Sequence, residues 1–368
     1  MYTIAITCGT SSLKGAIASR DEKDSVPSGE FVEAFMKRKM EVDDVGAELT
    51  ALYKLWNDEG VPEDESEIYF LVSDTARGEF VGKLLTEYIN KNTDAKAEYI
   101  VVKNLTPTSD ERFYRNGLPT LVKEVARVLM DKGIKRNRYA ILLPIGGFKQ
   151  SSTFAVLTAQ VLGIPSYFLL SAHASLGKIP PLPVSLDKEW AQREDIHHIL
   201  MVLEEGVEKK QYNDWIKALS EEDRIKLKPF VEIEHIDRES YVSLSAMGMV
   251  LLYTIKRQTE VVLRPRPGEF HFQSSTSEEN SKKFINKYRI PERLEKIPFI
   301  TFVRVAKYSE HQKQIKPKVT AKSNGHFSVE LALGADGILT LDVETTAETP
   351  EEIEKAEKLL KEYLAELF

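Results

Sequence analysis

The chain of 368 residues is long enough for two or three domains with their own cores, and a composition of 42% hydrophobic and 29% charged residues, with 19 Gly and 16 Pro, excludes long disorder or a collagen-like repeat. A net charge of −7, from 50 Lys and Arg against 57 Asp and Glu, argues against indiscriminate coating of nucleic acid. The single cysteine, Cys8, excludes an intramolecular disulfide and a cysteine-based metal cluster; the opening MYTIAITCGT lacks a basic leader, and Gly163-Ile164-Pro165 breaks the most apolar stretch, so the expectation is a soluble cytoplasmic protein with no membrane contact.

In chain order, the hydrophobic periodicity predicts strands at Tyr2–Thr7, Ile68–Val72, Glu98–Val102, Tyr139–Leu143 and Ser166–Leu170. Between them it predicts helices at Asp43–Glu59, Glu79–Asn90, Leu118–Lys132 and Ser151–Leu162. Such βα alternation specifies a mostly parallel sheet with helices on both faces, a Rossmann-like α/β domain. The rhythm stops after about residue 187: two helical stretches (Lys188–Glu208 and Tyr212–Ala218), a charged turn, strands at Val231–Ile236 and Tyr241–Leu244, and a helix after Ser245 follow. Beyond the break at Arg264-Pro265-Arg266-Pro267-Gly268 come a strand (Glu269–Gln273), helices (Glu278–Tyr288 and Pro291–Ile297), strands at Ile300–Val305, Lys318–Lys322, Phe327–Leu333 and Ile338–Glu344, a hairpin at Gly334-Ala335-Asp336-Gly337, and a last acidic helix from Pro350. This is an α+β unit.

Ligands of open α/β sheets sit where strands end and helices begin, because helix N-termini present unpaired N–H groups to anions. Three strand-end loops carry that chemistry: Cys8-Gly9-Thr10-Ser11-Ser12, Ser73-Asp74-Thr75, and Pro144-Ile145-Gly146-Gly147-Phe148-Lys149-Gln150-Ser151-Ser152. The last joins two glycines, a lysine and hydroxyls at a helix start, which suits a phosphate. It has neither the Walker A spacing nor a GxGxxG fingerprint, so ordinary NTP or NAD chemistry is disfavoured.

Five ordered segments, GTSSL at Gly9–Leu13, SDTARGEF at Ser73–Phe80, DERFYRNGL at Asp110–Leu118, GGFK at Gly146–Lys149 and PPLPVSL at Pro180–Leu186, make residues 1–187 resemble the CARF (CRISPR-associated Rossmann fold) domain, in its ring-nuclease-like branch. The resemblance implies a homodimer whose paired sheet edges bind a cyclic oligoadenylate, cyclic tetra-adenylate or cyclic hexa-adenylate, as an allosteric ligand. It places Gly9, Thr10, Ser11, Ser12, Ser73, Asp74, Thr75, Gly146, Gly147, Lys149 and Gln150 at that ligand. In some relatives the first-loop serine and the GGFK lysine also cleave the ring; here Pro144-Ile145 stands where many relatives have a small polar pair. Residues 188–262 resemble the winged-helix connector of CARF proteins, with a structural or dimer-linking role, since no basic recognition helix is present.

Residues 281–330 carry 12 Lys and Arg against 4 Asp and Glu, whereas 331–368 carry 3 against 10, a local basic excess that suits an RNA backbone. The element order and the stretch Lys318–Val329 make residues 263–368 similar to the RelE fold of toxin ribonucleases, which cut mRNA on the ribosome without a metal. By that resemblance Lys318, Lys322 and His326 match catalytic positions, with Arg304, Lys307, Tyr308, His311 and Lys316 as nearby candidates. The resulting expectation is a cyclic-oligoadenylate-activated endoribonuclease of type III CRISPR antiviral defence that inhibits translation, with no metal or cofactor. Alternatives are a ring nuclease that degrades cyclic tetra-adenylate and a ligand-responsive transcription regulator. The Arg–His spacings Arg193/His198, Arg266/His271 and Arg304/His311 leave a HEPN nuclease as a weaker rival, because the surrounding module is rich in strands.

Overall fold

The computed structural model describes residues 1–13, 26–40, 45–106, 112–147, 149–169, 175–181, 188–236, 239–258, 260–274, 279–309, 317–333 and 337–368. These residues form two compact units: one comprises residues 2–133 and 139–259, the other residues 260–368 with Met1 and residues 134–138.

The first unit is built on a six-stranded sheet of β1 (Tyr2–Thr7), β2 (Ser66–Ser73), β3 (Lys96–Val102), β4 (Tyr139–Pro144), β5 (Ser166–Leu169) and β6 (Leu176–Ile179) in the order β3-β2-β1-β4-β5-β6. All neighbours are parallel except β5 and β6. The central strands read as near-continuous apolar runs because both faces are covered: Ile4, Ala5 and Ile6 are fully buried, as are Phe70, Leu142 and Leu143. This is the expected Rossmann-like α/β arrangement. The helix Ala47–Asn57 buries Leu49, Leu52 and Leu55 against Ile4, Ile6, Ile68 and Phe70. The helix Ala76–Asn92 starts at Thr75, whose hydroxyl caps Gly78 N–H at 3.0 Å.

The helix Leu118–Arg127 is entered through a five-residue π-helical turn, Phe113–Gly117, and runs on into a six-residue one at Val128–Gly133. From the first turn, Arg115 Nη1 donates to the Ile233 carbonyl at 3.1 Å and Asn116 Nδ2 to Glu234 Oε1 at 3.0 Å. Both acceptors lie on β8 (Val231–Ile236), a strand of the small antiparallel sheet β7-β9-β8, whose other members are β7 (Val207–Glu208) and β9 (Glu239–Leu244). The helix Ala246–Gln258 packs on Leu118–Arg127 and is pinned by Tyr253 OH and Lys256 Nζ, which bond Glu204 at 3.1 and 2.7 Å.

The second unit contains β10 (His271–Gln273), β11 (Ile300–Ser309), β12 (Lys318–Ser323), β13 (His326–Ala332) and β14 (Ile338–Thr345) in the order β10-β11-β14-β13-β12. β10 is parallel to β11, and the remaining pairs are antiparallel. Period-two burial puts Phe327, Val329, Leu331, Leu339, Leu341 and Val343 in one core with Phe284, Leu294, Leu359 and Tyr363 from the helices Glu279–Lys287, Ile290–Glu295 and Pro350–Leu367. The last helix is fixed by a capping box: Thr349 accepts from Glu352 N–H, and the Glu352 carboxylate accepts from the Thr349 N–H.

Four expectations are corrected. The stretch 188–208 is not one helix but two, Lys188–Gln192 and Glu194–Leu203, because Arg193 is extended (ψ 137°). The charged turn that follows contains a helix, Glu221–Leu227, capped by Ser220; with few apolar positions it leaves no periodic signal. The first strand of the second unit is only three residues long, since it pairs with β11 only from His271 to Gln273. A helix at Gly29–Met36 and the antiparallel β6 lie where no element was expected. Segments of three expected motifs, Asp110-Glu111, Phe148 and Leu182–Leu186, lie outside the described residues, as does the hairpin stretch Gly334-Ala335-Asp336.

Candidate functional site

In the first unit the strand order reverses between β1 and β4, so the loops after these two strands flank the switch point where open α/β sheets bind ligands. The loops touch. Gly146 N–H donates to the Thr7 carbonyl at 2.8 Å, and the Thr7 hydroxyl donates back to the Gly146 carbonyl at 2.9 Å. A Cβ on Gly146 would lie 2.0 Å from Gly9 N, so only glycine permits this crossing; Gly147, at φ 101°, then turns the chain toward the helix Lys149–Val161.

Two expected donors are already engaged. Gly146 N–H is used by Thr7, and Gly9 N–H donates to Glu48 Oε1 at 2.8 Å. Glu48 is fully buried, and nothing in its sequence context marks it, because an acid in a first helical turn is ordinary. Burial first and this carboxylate second push the Cys8 thiol well above its usual range, which favours its protonated form.

What the switch point offers an anion is therefore hydroxyl and cationic rather than these two amides. Ser12 and Ser151 are each 1% exposed, and neither hydroxyl has a hydrogen-bond partner among the described residues. A buried hydroxyl without a partner costs on the order of 1–3 kcal/mol, a penalty that a ligand oxygen or ordered water would relieve. Lys149, Gln150 and Thr10 are exposed beside them, and Gln150 Nε2 donates to Tyr114 OH at 3.4 Å. The Ser11 side chain lies outside the described set.

The loop after β2 has structural work. Asp74 accepts from Asn104 N–H at 2.7 Å and from the Thr106 hydroxyl at 3.1 Å, tying the ends of β2 and β3 together. Thr75 is the helix cap, and its hydroxyl lies 3.0 Å from that of Ser73. Of this loop only Ser73 keeps a part-exposed hydroxyl without a backbone duty.

In the second unit, alternation along β11 to β14 places Arg304, Asp342, Ser328 and Thr320 in one row on the sheet face opposite the helices, with Lys318, Lys322, His326 and Glu344 on the same face. Arg304, Lys322 and His326 thus share a surface, and Lys318 stands opposite Glu330 on it. Two of these cations are paired. Asp342 binds Lys322 Nζ and, at 2.9 Å, Arg304 Nη2, and these two bonds hold its carboxyl below the usual range. His326 Nδ1 lies 3.7 Å from Glu344 Oε1. Asp342 and Glu344 occupy alternate, outward positions of β14, so their facing the same side as the bases was legible from the period-two pattern of that strand. Lys307 is exposed, Tyr308 packs edge-on against Phe284 at 5.7 Å, and His311 and Lys316 lie outside the described residues.

Of the Arg–His spacings, Arg266 and His271 fall in extended chain and β10, and Arg304 in β11. Arg193 is held by Asp195 and Asp223 at 2.7 and 2.9 Å, and His198 meets the Trp215 ring edge-on at 5.7 Å.

A mostly parallel open sheet, with buried hydroxyls and a lysine beside its switch point, is an arrangement of the Rossmann-like α/β class. Residues 43–182, which run through most of that sheet, match the family model of a CRISPR-associated protein, Cas_APE2256, so this part of the chain is similar to a CRISPR-associated family. The match contains the loops after β2 and β4 and begins after the loop that follows β1. No curated protein matches the chain. Among the described residues, no helix is long and apolar enough to cross a membrane.

Proposed function

We propose that the protein is a cyclic-oligoadenylate-activated ribonuclease effector of type III CRISPR antiviral defence, acting in the cytoplasm as a homodimer. The observation that carries the sensing half is the pair of buried hydroxyls without a partner among the described residues, Ser12 and Ser151, beside Lys149 at the switch point of a sheet similar to a CRISPR-associated family. A cyclic tetra-adenylate or hexa-adenylate ring presents repeated phosphates, which suit hydroxyl donors and one lysine from each protomer.

The effector half is the exposed face of the second unit. RNA cleavage by its own 2′-hydroxyl needs a base for that proton, positive charge on the scissile phosphate and a proton for the leaving 5′-oxygen. Lys318, Lys322 and Arg304 supply charge, and His326 with Glu344 supplies a group that can exchange a proton. A phosphate approaching this face competes with Asp342 for Lys322 and Arg304. The neutralising Asp342 also favours a second reading, in which the tail is structural and the protein is a ring nuclease that consumes its ligand.

The test is a translation reaction with the full-length protein, with and without each ring, mapping cuts on translated mRNA and on ribosome-free RNA. Ring-dependent cuts confined to translated mRNA support a RelE-like interferase. Cuts in free RNA point to a ribosome-independent nuclease. Intact RNA with a consumed ring supports the second reading, and intact RNA with an intact ring and a ring-dependent shift of duplex DNA supports a regulator.

A further inference from the structure

We infer that Tyr114 is the stacking platform for a nucleobase of the bound ligand. This rests on the sensing half of the proposed function and adds the element that reads the base rather than the phosphate. Among the described residues, Tyr114 and Tyr139 are the large aromatic side chains left exposed, at 47% and 53%. Tyr139 is already stacked on Tyr2 at 5.3 Å. Tyr114 has no stacked partner among the described residues. The buried Phe113 meets it edge-on, with centroids 5.5 Å apart and planes at 81°, a contact that braces the ring at an edge rather than by stacking.

Its position gives the open ring a purpose. Gln150, whose amide reaches Tyr114 OH, follows Lys149 in the first turn of the helix that also carries Ser151. A phosphate held by Lys149 and that turn leaves its own base one sugar away, within reach of an adjacent aromatic face. Base–aromatic stacking tolerates any base but is stronger for the larger purine surface.

The experiment measures binding of cyclic tetra-adenylate and cyclic tetra-uridylate to the full-length protein by titration calorimetry, for wild type, Y114A, Y114F and K149A. The expected result is a wild-type preference for the purine ring. Y114A should lose about tenfold or more for cyclic tetra-adenylate and narrow that preference, while Y114F, which keeps the ring and loses only the hydroxyl, should bind much as wild type. K149A should weaken both ligands by a similar factor. Unchanged binding by Y114A, or an equal loss for both ligands, overturns the stacking assignment and leaves the sensing function standing. Failure of the wild type to bind either ring overturns both.

Discussion

Asp342 offers a quantitative probe of the second unit. Replacing it with Asn removes the carboxylate that engages Lys322 and Arg304 while keeping the side-chain shape. All three groups are partly exposed, so each pair contributes about 0–1 kcal/mol, and D342N should lower stability by no more than about 2 kcal/mol. Two released cations allow up to two further phosphate contacts. On single-stranded RNA each contact steepens the dependence of log K on log salt by about 0.7, so the slope should steepen by up to about 1.4. Between 200 and 50 mM salt that corresponds to an extra gain in affinity of about sevenfold. Fluorescence anisotropy of a labelled single-stranded RNA across this range, with the full-length protein, measures it. An unchanged slope in D342N would show that this face does not meet RNA backbone, and weaker binding at low salt would show that Asp342 orients the cations rather than masking them.

Gly146→Ala forces a Cβ to within 2.0 Å of Gly9 N, so the two loops must separate; the expected loss is about 1–3 kcal/mol in chemical denaturation, with ring binding lost as well. Thr349→Ala removes the capping box of the last helix and should cost about 0.5–2 kcal/mol, read as a lower Tm. Asp223 has its carboxyl held below the usual range by Ser220, then Trp190 and Arg193, so its contribution is present above the unfolded carboxylate range near pH 4 and disappears as pH falls through the lower folded value. Trp190, which donates to Asp223 at 2.9 Å, reports this as an acid transition in fluorescence that D223N abolishes.

The sheet of the first unit was legible because strands buried on both faces read as apolar runs: Ile68–Val72 and Tyr139–Leu143 differ from the observed β2 and β4 by one or two residues at an end. The last helix was legible from Pro350 and the acids behind it. Glu221–Leu227 was not, since a seven-residue helix held by a Ser220 cap and the packing of Leu227 carries too few apolar positions to show a period. For the sites, the glycine–lysine loop declared itself through residue types, yet which amides remain free depended on contacts between distant loops. Glu48 taking Gly9 and Thr7 taking Gly146 are tertiary facts with no local trace. Likewise Arg304 and Lys322 announce charge, whereas their neutralisation depends on β14 lying between β11 and β13.

The π-helical turn Phe113–Gly117 fits five residues into one winding, and three consecutive side chains leave it for different places. Tyr114 reaches Gln150 at the end of the parallel sheet, while Arg115 and Asn116 reach β8 in the small antiparallel sheet. No residue separates those anchors, so one turn ties the end of the parallel sheet to the small antiparallel sheet through three successive side chains.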